Sequence, residues 1–250
     1  MIYFLAIVIG IVLGFMGSGG SILTLPVLVY IGDFSPSEAI PISLVVVGIA
    51  ALSGAIQQAI KGNFDFSAVW QFTLPSLLAV SLTRKYLFPA IPQEIWGLSK
   101  DGLLMYFFAF LVMASAISML ATKNITKTNE AFGYFRFYGA GLLTGLITGM
   151  VGAGAGFIIV PALVIAGKLP LKTAMGSSLL IISINCLGGL VVQPLPQAQM
   201  FILVFSGIVV SGSFIGVWFN NKIDVGHLKK YFGYFLLLMS VLILIGEWKK

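Results

Sequence analysis

The sequence predicts an all-α integral membrane protein of two inverted-topology repeats, each with a glycine-broken helix or re-entrant pair plus three long transmembrane helices. Three observations predict this fold class. Of the 250 residues, 59% are hydrophobic and only 9% are charged, far below the roughly 25% charged that is typical of a soluble domain. The chain repeats itself at a fixed offset, and its basic residues are divided unequally among the polar segments.

Long apolar runs provide the membrane helices. Several approach or reach the roughly 20 residues that a helix needs to cross the hydrocarbon core, and they include Ala39–Ile60, Ser67–Phe88, Leu103–Ala121 and Met200–Phe219. An outer-membrane barrel would show alternating segments of about ten residues instead. The apolar N-terminal segment lacks the basic region of a secretory signal and recurs in the second half. It is therefore predicted to be part of the mature fold.

An internal repeat relates the two halves of the chain. Sliding the sequence against itself by 135 residues aligns glycine, proline, serine and glutamine residues without a gap. Coincidence of such residues in one register indicates duplication. The aligned pairs are Gly10 with Gly145, Gly14 with Gly149, Gly17 with Gly152, Gly19 with Gly154, Pro26 with Pro161, Gly32 with Gly167, Ala39 with Ala174, Ser43 with Ser178, Gly54 with Gly189 and Gln58 with Gln193. The predicted repeats are residues 1–121 and 135–250, joined by a cytoplasmic linker at residues 122–134.

Each repeat begins with an apolar segment that meets a glycine cluster. In the first repeat, Met1–Met16 is followed by the cluster and then by the short segment Ile22–Ile31. In the second repeat the corresponding segments are Phe135–Val151 and Phe157–Ala166. The short segments cannot cross a bilayer alone. Three longer apolar helices then complete each repeat.

The basic residues favour an inverted relation between the repeats. If each half makes five passes and the linker is cytoplasmic, nine of the 14 lysines and arginines lie in the cytoplasm. With four passes per half, only six would lie there, against the positive-inside rule. We therefore expect a multi-pass protein of the bacterial inner (plasma) membrane with both termini outside the cytoplasm. The five basic residues on that outer side are Arg84, Lys85, Lys100, Lys249 and Lys250.

The glycine clusters are predicted to form a binding site at mid-membrane depth. Gly17–Ser21 and Gly152–Gly156 interrupt apolar helices, and backbone freed from a helix must line protein or a wet cavity. Half-helix N-termini carry partial positive charge, so the breaks suit an anion. The candidate substrate-binding residues are Gly17, Ser18, Gly19, Gly20, Ser21, Ser43, Gly152, Gly154, Gly156, Ser177, Ser178 and Asn185. Further candidates of second rank are Thr24, Gln57, Gln58, Cys186 and Gln193.

Other small or kinking residues have a structural interpretation. The spacings Gly10/Gly14, Gly145/Gly149 and Gly212/Gly216 are typical of closely packed membrane helices. Pro26 and Pro161 are assigned a shaping role, because proline kinks helices. A buried cysteine such as Cys186 is more often a small hydrophobe than a ligand.

The motifs around the breaks resemble those of the sulfite exporter TauE/SafE family, a group of anion permeases. The similarity lies in Ile-Leu-Thr-Leu-Pro26 and Ala39-Ile-Pro-Ile-Ser43-Leu, and in Gly-Phe-Ile-Ile-Val-Pro161 and Ala174-Met-Gly-Ser-Ser178-Leu. The resemblance covers nearly the whole chain. It implies transport of sulfite, sulfoacetate, taurine-related or other small organic anions. The family pattern carries over to Gly17, Gly19, Gly20, Ser21, Gly152, Gly154 and Gly156. Two departures are Ser21, where a third glycine is common, and Arg84-Lys85-Tyr86, where small residues are common.

The expected function is export of a small anion by rocking of the two halves, aided by an inside-negative potential. No aspartate or glutamate lies within a predicted span except near its ends, so a core proton relay lacks its usual carboxylates. An anion channel uses the same donors and stays an alternative. An intramembrane enzyme is a weaker one, because a serine nucleophile needs a nearby base and the single histidine, His227, lies in a loop.

The expected partners are a small anionic substrate and the lipid bilayer. The basic residues are scattered rather than gathered on one face, which argues against nucleic acid. One histidine and one cysteine cannot assemble a metal site, and no cofactor is expected. The oligomeric state has no indicator in the sequence.

Overall fold

A computed structural model describes residues 1–95, 98–121, 134–192, 199–220 and 225–248, and the described part of the chain is almost entirely helical. The first half contains α1 (Ile2–Met16), α2 (Ser21–Tyr30), α3 (Pro36–Ile60), α4 (Phe66–Leu82), α5 (Phe88–Ala90) and α6 (Lys100–Ala121). The second half contains α7 (Tyr134–Val151), α8 (Ile159–Ile165), α9 (Leu171–Val191), α10 (Gln199–Asn220) and α11 (Val225–Trp248). A minimal hairpin of β1 (Glu94–Ile95) and β2 (Leu98–Ser99) precedes α6. The predicted linker lies outside the described residues except for Tyr134.

Six helices in the described ranges are long and apolar enough to cross a membrane, three in each half. This confirms the three long helices predicted for each repeat. The first half contributes Pro36–Ile60, Phe66–Ala90 and Lys100–Ala121, and the second contributes Leu171–Val191, Gln199–Phe219 and Lys230–Trp248. Their lipid-facing sides retain exposed large hydrophobic side chains such as Trp70 and Leu203, as expected where hydrocarbon is the solvent.

Local sequence explains where two of the first long helices begin. Ser35 caps α3: its hydroxyl accepts from the Glu38 N–H at 3.3 Å, and the Glu38 carboxylate accepts from the Ser35 N–H at 3.1 Å. This reciprocal pair is a capping box, which satisfies backbone donors at a helix start. Asp65 caps α4 by accepting from the Ala68 N–H at 3.0 Å.

The apolar run predicted at Ser67–Phe88 forms one long helical span that includes its two basic residues. After α4, residues Thr83–Leu87 form one π-helical turn, and α5 completes a single span of 25 residues, Phe66–Ala90. The sequence analysis counted Arg84 among the basic residues on the outer side of the membrane, whereas the structure includes it in a helical span. Arg84 lies inside the span, because the wider π turn accommodates it.

Contacts between helix ends define the two ends of the helix bundle. At one, the Ser37 end, the Ser37 hydroxyl donates to Asp101 of α6 at 2.5 Å, and the Tyr30 hydroxyl at the end of α2 donates to Glu247 of α11 at 2.7 Å. At the other, the Lys61 end, the Lys61 ammonium donates to the Val217 carbonyl of α10 at 3.5 Å. α3 joins the two, since Ser37 lies in its first turn and Lys61 follows its last residue.

The first helix pair of each half folds back on itself. A Cβ on Gly32, after α2, would lie 3.2 Å from the Ile2 side chain at the start of α1. In the second half, a Cβ on Gly167 would lie 2.7 Å from the Phe137 ring near the start of α7. Each short helix therefore returns to the end of the bundle from which its apolar segment departed.

Helices of one half pack mainly on helices of the other. α3 packs on α9 and α6 on α11, while α1 packs on α10 and α7 on α4. The 135-residue offset aligns α1 with α7 and α4 with α10. The α1–α10 pair is therefore the counterpart of the α7–α4 pair. The contact pattern is thus the same when the two halves are exchanged.

The predicted packing role of three glycine pairs is confirmed. A Cβ on Gly10 would lie 2.1 Å from the Val209 carbonyl oxygen of α10, and one on Gly216 would lie 2.1 Å from the Ile11 carbonyl oxygen of α1. In the α7–α4 pair, a Cβ on Gly145 would lie 2.2 Å from the Ser76 carbonyl oxygen. Backbone approaches this close are possible only without a side chain.

We expect Gly145→Ala to destabilise the protein, because its methyl group would overlap the α4 backbone. Overpacking of this kind costs about 1–3 kcal/mol. The matched control is Gly139→Ala in the same helix, where a Cβ meets nothing within 4 Å. Thermal unfolding in detergent should show a lower midpoint for Gly145→Ala than for Gly139→Ala. Equal midpoints would contradict the close α7–α4 contact.

Candidate functional site

The two glycine clusters form helical turns rather than open loops. Gly17–Gly20 and Gly152–Ile158 are 3₁₀-helical, so the interruption of each helix is confined to its first glycine. Gly17 has φ +69° and Gly152 has φ +84°, a left-handed conformation that glycine adopts without steric strain. The α-helices are thus broken at the predicted clusters, and 3₁₀ hydrogen bonding satisfies part of the backbone there.

The two turns do not lie at one depth. A Cβ on Gly17 would lie 2.9 Å from the Met175 carbonyl oxygen in the second turn of α9, at the Lys61 end. A Cβ on Gly152 would lie 2.8 Å from the Ile40 side chain in the second turn of α3, at the Ser37 end. Met175 and Ile40 are counterparts in the repeat register, so these contacts are equivalent in the two halves. Gly17 and Gly152 therefore contact helix turns near opposite ends of the bundle, and the mid-membrane depth of the site stays a prediction.

The segments that follow the two left-handed glycines meet each other. A Cβ on Gly156 would lie 2.9 Å from the Ser21 hydroxyl oxygen at the start of α2, and equally close to the Ile182 side chain of α9. Ser21 is fully buried. The two predicted clusters thus come together through Ser21 and Gly156 in the interior.

Close packing accounts for the glycines within the first turn. A Cβ on Gly19 would lie 2.8 Å from the Phe232 ring of α11, and one on Gly20 would lie 2.3 Å from the Leu13 side chain of α1. Of the other predicted positions, Gly154 lies within the second 3₁₀ segment. Ser18 lies in the first, and its side chain is outside the described part of the structure.

The three predicted serines of the long helices are fully buried and already hydrogen-bonded. The Ser43 hydroxyl donates to the Ile40 carbonyl at 2.7 Å, and its counterpart Ser178 donates to the Met175 carbonyl at 2.8 Å. The Ser177 hydroxyl accepts from the Asp65 N–H at 3.0 Å. Because the protons of Ser43 and Ser178 are committed to backbone carbonyls, these side chains offer an anion fewer donors than their sequence suggests.

Asn185 and Thr24 retain unused polar atoms. The Asn185 side-chain oxygen accepts from the Ser76 hydroxyl of α4 at 3.0 Å, whereas its buried amide nitrogen has no partner in the described ranges. The Thr24 hydroxyl oxygen in α2 is also buried, and no described residue hydrogen-bonds to it. Buried donors without partners are costly, so both positions stay candidates for substrate contact.

The remaining predicted residues have local roles or lie elsewhere. Gln58 is buried and its side-chain oxygen accepts from the Asn63 amide at 3.1 Å, whereas Gln57 contacts the Ser53 carbonyl of its own helix at 3.3 Å. Cys186 is buried with its Cβ against Gly48 of α3. Gln193 lies outside the described residues. Pro26 lies inside α2 and Pro161 inside α8.

Arg84 is a candidate functional residue that the sequence analysis did not include among the binding residues. Only 2% of its surface is exposed, and its three guanidinium nitrogens have no hydrogen-bond partner among the described residues. One terminal nitrogen, Nη2, lies 3.2 Å from the position that a Cβ would occupy on Gly152. The guanidinium carbon also lies 4.9 Å from the centre of the Phe88 ring, a cation–π contact.

The arrangement around Arg84 can bind an anion. Arginine stays charged in proteins and carries five N–H donors in a planar fork that suits carboxylate or sulfonate oxygens. The helical turn that starts at Gly152 adds the partial positive charge of a helix N-terminus. An ionised group buried without a partner is strongly unfavourable, so this position favours an anionic ligand. The only feature of the sequence that pointed to Arg84 was its departure from the family pattern, in which small residues are common at this position.

Comparison with known proteins places the chain in a family. The model of the sulfite exporter TauE/SafE family matches residues 2–243. The chain belongs to this TauE/SafE family. A probable membrane transporter protein of Methanocaldococcus jannaschii is 26% identical over 97% of this chain and 93% of its own length. A probable membrane transporter protein of Bacillus subtilis is 24% identical over 98% of this chain and 96% of its own length.

A further relative in Xylella fastidiosa, also called a probable membrane transporter protein, is 32% identical over 69% of this chain. That match covers 65% of the relative's length. No solved structure shows significant similarity to the chain. The TauE/SafE assignment and the six long apolar helices identify a multi-pass membrane protein of a transporter family, as the sequence motifs predicted.

Proposed function

We propose that this chain carries a small anion across the membrane and binds it at Arg84 beside the Gly152 turn. The observation that carries the proposal is the buried guanidinium, which has no hydrogen-bond partner among the residues that the structure describes. A neutral substrate would leave that charge uncompensated, whereas a carboxylate, sulfite or sulfonate would neutralise it. The family name adds sulfite and related sulfur anions as the first substrates to test.

The transport mechanism that we propose is alternating access by two inverted halves. Three features support it: the fold-back of each first helix pair, the equivalent contacts of Gly17 and Gly152, and the exchange-symmetric helix packing. Inverted repeats commonly place the substrate at their interface and move against each other. Arg84 is contributed by the first half and faces a turn of the second, so relative movement would change its surroundings.

The burial of Arg84 favours a carrier over an open channel. A conducting pore keeps its ion-binding groups in contact with water, whereas the guanidinium nitrogens here are enclosed. We propose export from the cytoplasm of a bacterial inner membrane, with both termini outside. An inside-negative potential would then assist anion exit, by about 2.3 kcal/mol per charge for each 100 mV.

Ligand screening and flux measurements test this function together. Purified protein is expected to gain thermal stability with sulfite, thiosulfate, sulfoacetate or acetate, but not with zwitterionic taurine, which has no net charge for Arg84 to balance. In proteoliposomes, the stabilising anion should show saturable uptake and counterflow, in which unlabelled anion on one side drives labelled anion across. Non-saturating flux without counterflow would support a channel instead. No anion-dependent stabilisation and no flux would overturn the proposal.

A further inference from the structure

The Phe88 ring carries a second buried cation besides Arg84. The Lys100 ammonium, at the start of α6, lies 4.3 Å from the ring centre, while the Arg84 guanidinium carbon lies 4.9 Å from it. Lys100 is only 7% exposed. Its ammonium also donates to the Phe88 carbonyl oxygen at 2.9 Å. Two positive charges thus share one aromatic side chain inside the Ser37 end of the bundle.

Neither cation has a carboxylate partner in the part of the chain that the structure describes. Asp101 follows Lys100 directly, but its carboxylate accepts from the Ser37 hydroxyl on α3. Glu94, in the hairpin before α6, is exposed. Like charges away from water repel each other more strongly than they do in solution. An anion bound at the Ser37 end would reduce the cost of burying these cations.

A purely structural role explains only part of this arrangement. A lysine that donates to the carbonyl at a helix end stabilises that end, and Lys100 does so for the short α5. The same role cannot account for Arg84, because its guanidinium nitrogens hydrogen-bond to no acceptor within the part of the chain that the structure describes. It also leaves unexplained why two cations are buried against one ring.

We infer that Arg84 and Lys100 form a two-cation site for a compact oxyanion at the Ser37 end, with Lys100 as its outer member. This inference rests on the proposed function. Lys100 and Arg84 hold the same carboxylate, sulfite or sulfonate at the Ser37 end, where Arg84 lies beside the Gly152 turn. Lys100 therefore sets the affinity of the anion more than the rate of its translocation.

Sulfite transport by the full chain in proteoliposomes tests the role of Lys100. Lys100→Met is expected to raise the half-saturating sulfite concentration about tenfold, the loss of one charge-assisted interaction, while the maximal rate stays near that of the unaltered protein. Lys100→Arg should restore most of the affinity, because it retains the charge. The salt dependence of uptake should also weaken in Lys100→Met.

Lys85→Met is the matched control. Lys85 is adjacent to Arg84 and lies 5.3 Å from the centre of the Tyr86 ring, but it is exposed. It should behave like the unaltered protein. The inference is overturned if Lys100→Met resembles Lys85→Met, or if it lowers only thermal stability and maximal rate. Loss of sulfite uptake in Arg84→Met with no change in Lys100→Met would overturn the inference alone. No response of the unaltered protein to sulfite, sulfoacetate or acetate would overturn the proposed function with it.

Discussion

Arg84→Met should abolish anion transport and at the same time make the protein more stable. Transport should fall at least a hundredfold, because the substrate would lose a bidentate, desolvated cation, an interaction of roughly 3 kcal/mol. Stability without substrate should rise by about 2 kcal/mol, because the change removes a buried charge that lacks a partner. Initial rates in proteoliposomes and the thermal midpoint in detergent measure the two effects.

The combination of lost activity and raised stability separates anion binding from a structural role. If Arg84 held the fold together, Arg84→Met would lower both the thermal midpoint and the rate. Arg84→Lys serves as the control that keeps the charge but loses the planar fork. It should retain partial transport with weaker substrate affinity. Unchanged transport in Arg84→Met would exclude this arginine from the binding site.

Gly152→Ala should inactivate the transporter more completely than any other glycine substitution tested. The residue has φ +84°, where a side chain costs about 1–2 kcal/mol. Its Cβ would also lie 2.8 Å from the Ile40 side chain and 3.2 Å from the Arg84 guanidinium. We therefore expect lower stability and displacement of Arg84, measured as loss of both transport and anion-dependent thermal stabilisation.

Two other glycines separate backbone strain from contact with Arg84. Gly62, in the turn after α3, has φ +73°, and a Cβ there meets nothing within 4 Å. Gly62→Ala should show the strain alone and retain transport. Gly17→Ala combines similar strain with contact to Met175, so it should lower stability while anion-dependent stabilisation persists. If Gly62→Ala is as inactive as Gly152→Ala, backbone strain accounts for the effect and proximity to Arg84 does not.

The helical architecture and its division into two repeats were predictable, because both depend on residue types and their spacing. Apolar runs of sufficient length predicted the three long helices in each half, and the structure has them. Coincidence of Gly10 with Gly145 in a single register predicted equivalent packing surfaces. Both glycines indeed contact a helix of the opposite half. The inverted orientation of the halves stays a prediction supported by these contacts.

The conformation of the glycine clusters was only partly predictable. Glycine content correctly located the two interruptions, since it lowers helix stability. It could not distinguish an open loop from a tightened 3₁₀ turn. That outcome depends on side chains from elsewhere in the chain, such as Phe232 against Gly19. Similarly, the sequence identified Ser43 and Ser178 as candidate substrate-binding residues, but it could not show that their hydroxyl groups donate to carbonyl groups of their own helices.

The sequence by itself determined a membrane protein with a duplicated plan, two glycine interruptions and a family resemblance, because each follows from composition or local pattern. Only the tertiary structure decided where its cations lie. A basic pair such as Arg84-Lys85 near the end of an apolar run is typical of a membrane interface, and Lys85 is indeed exposed. Arg84 is buried because a π turn, Phe88 and the Gly152 turn of the other half enclose it. Burial of a charge depends on the partners that surround it, and those partners come from distant parts of the chain.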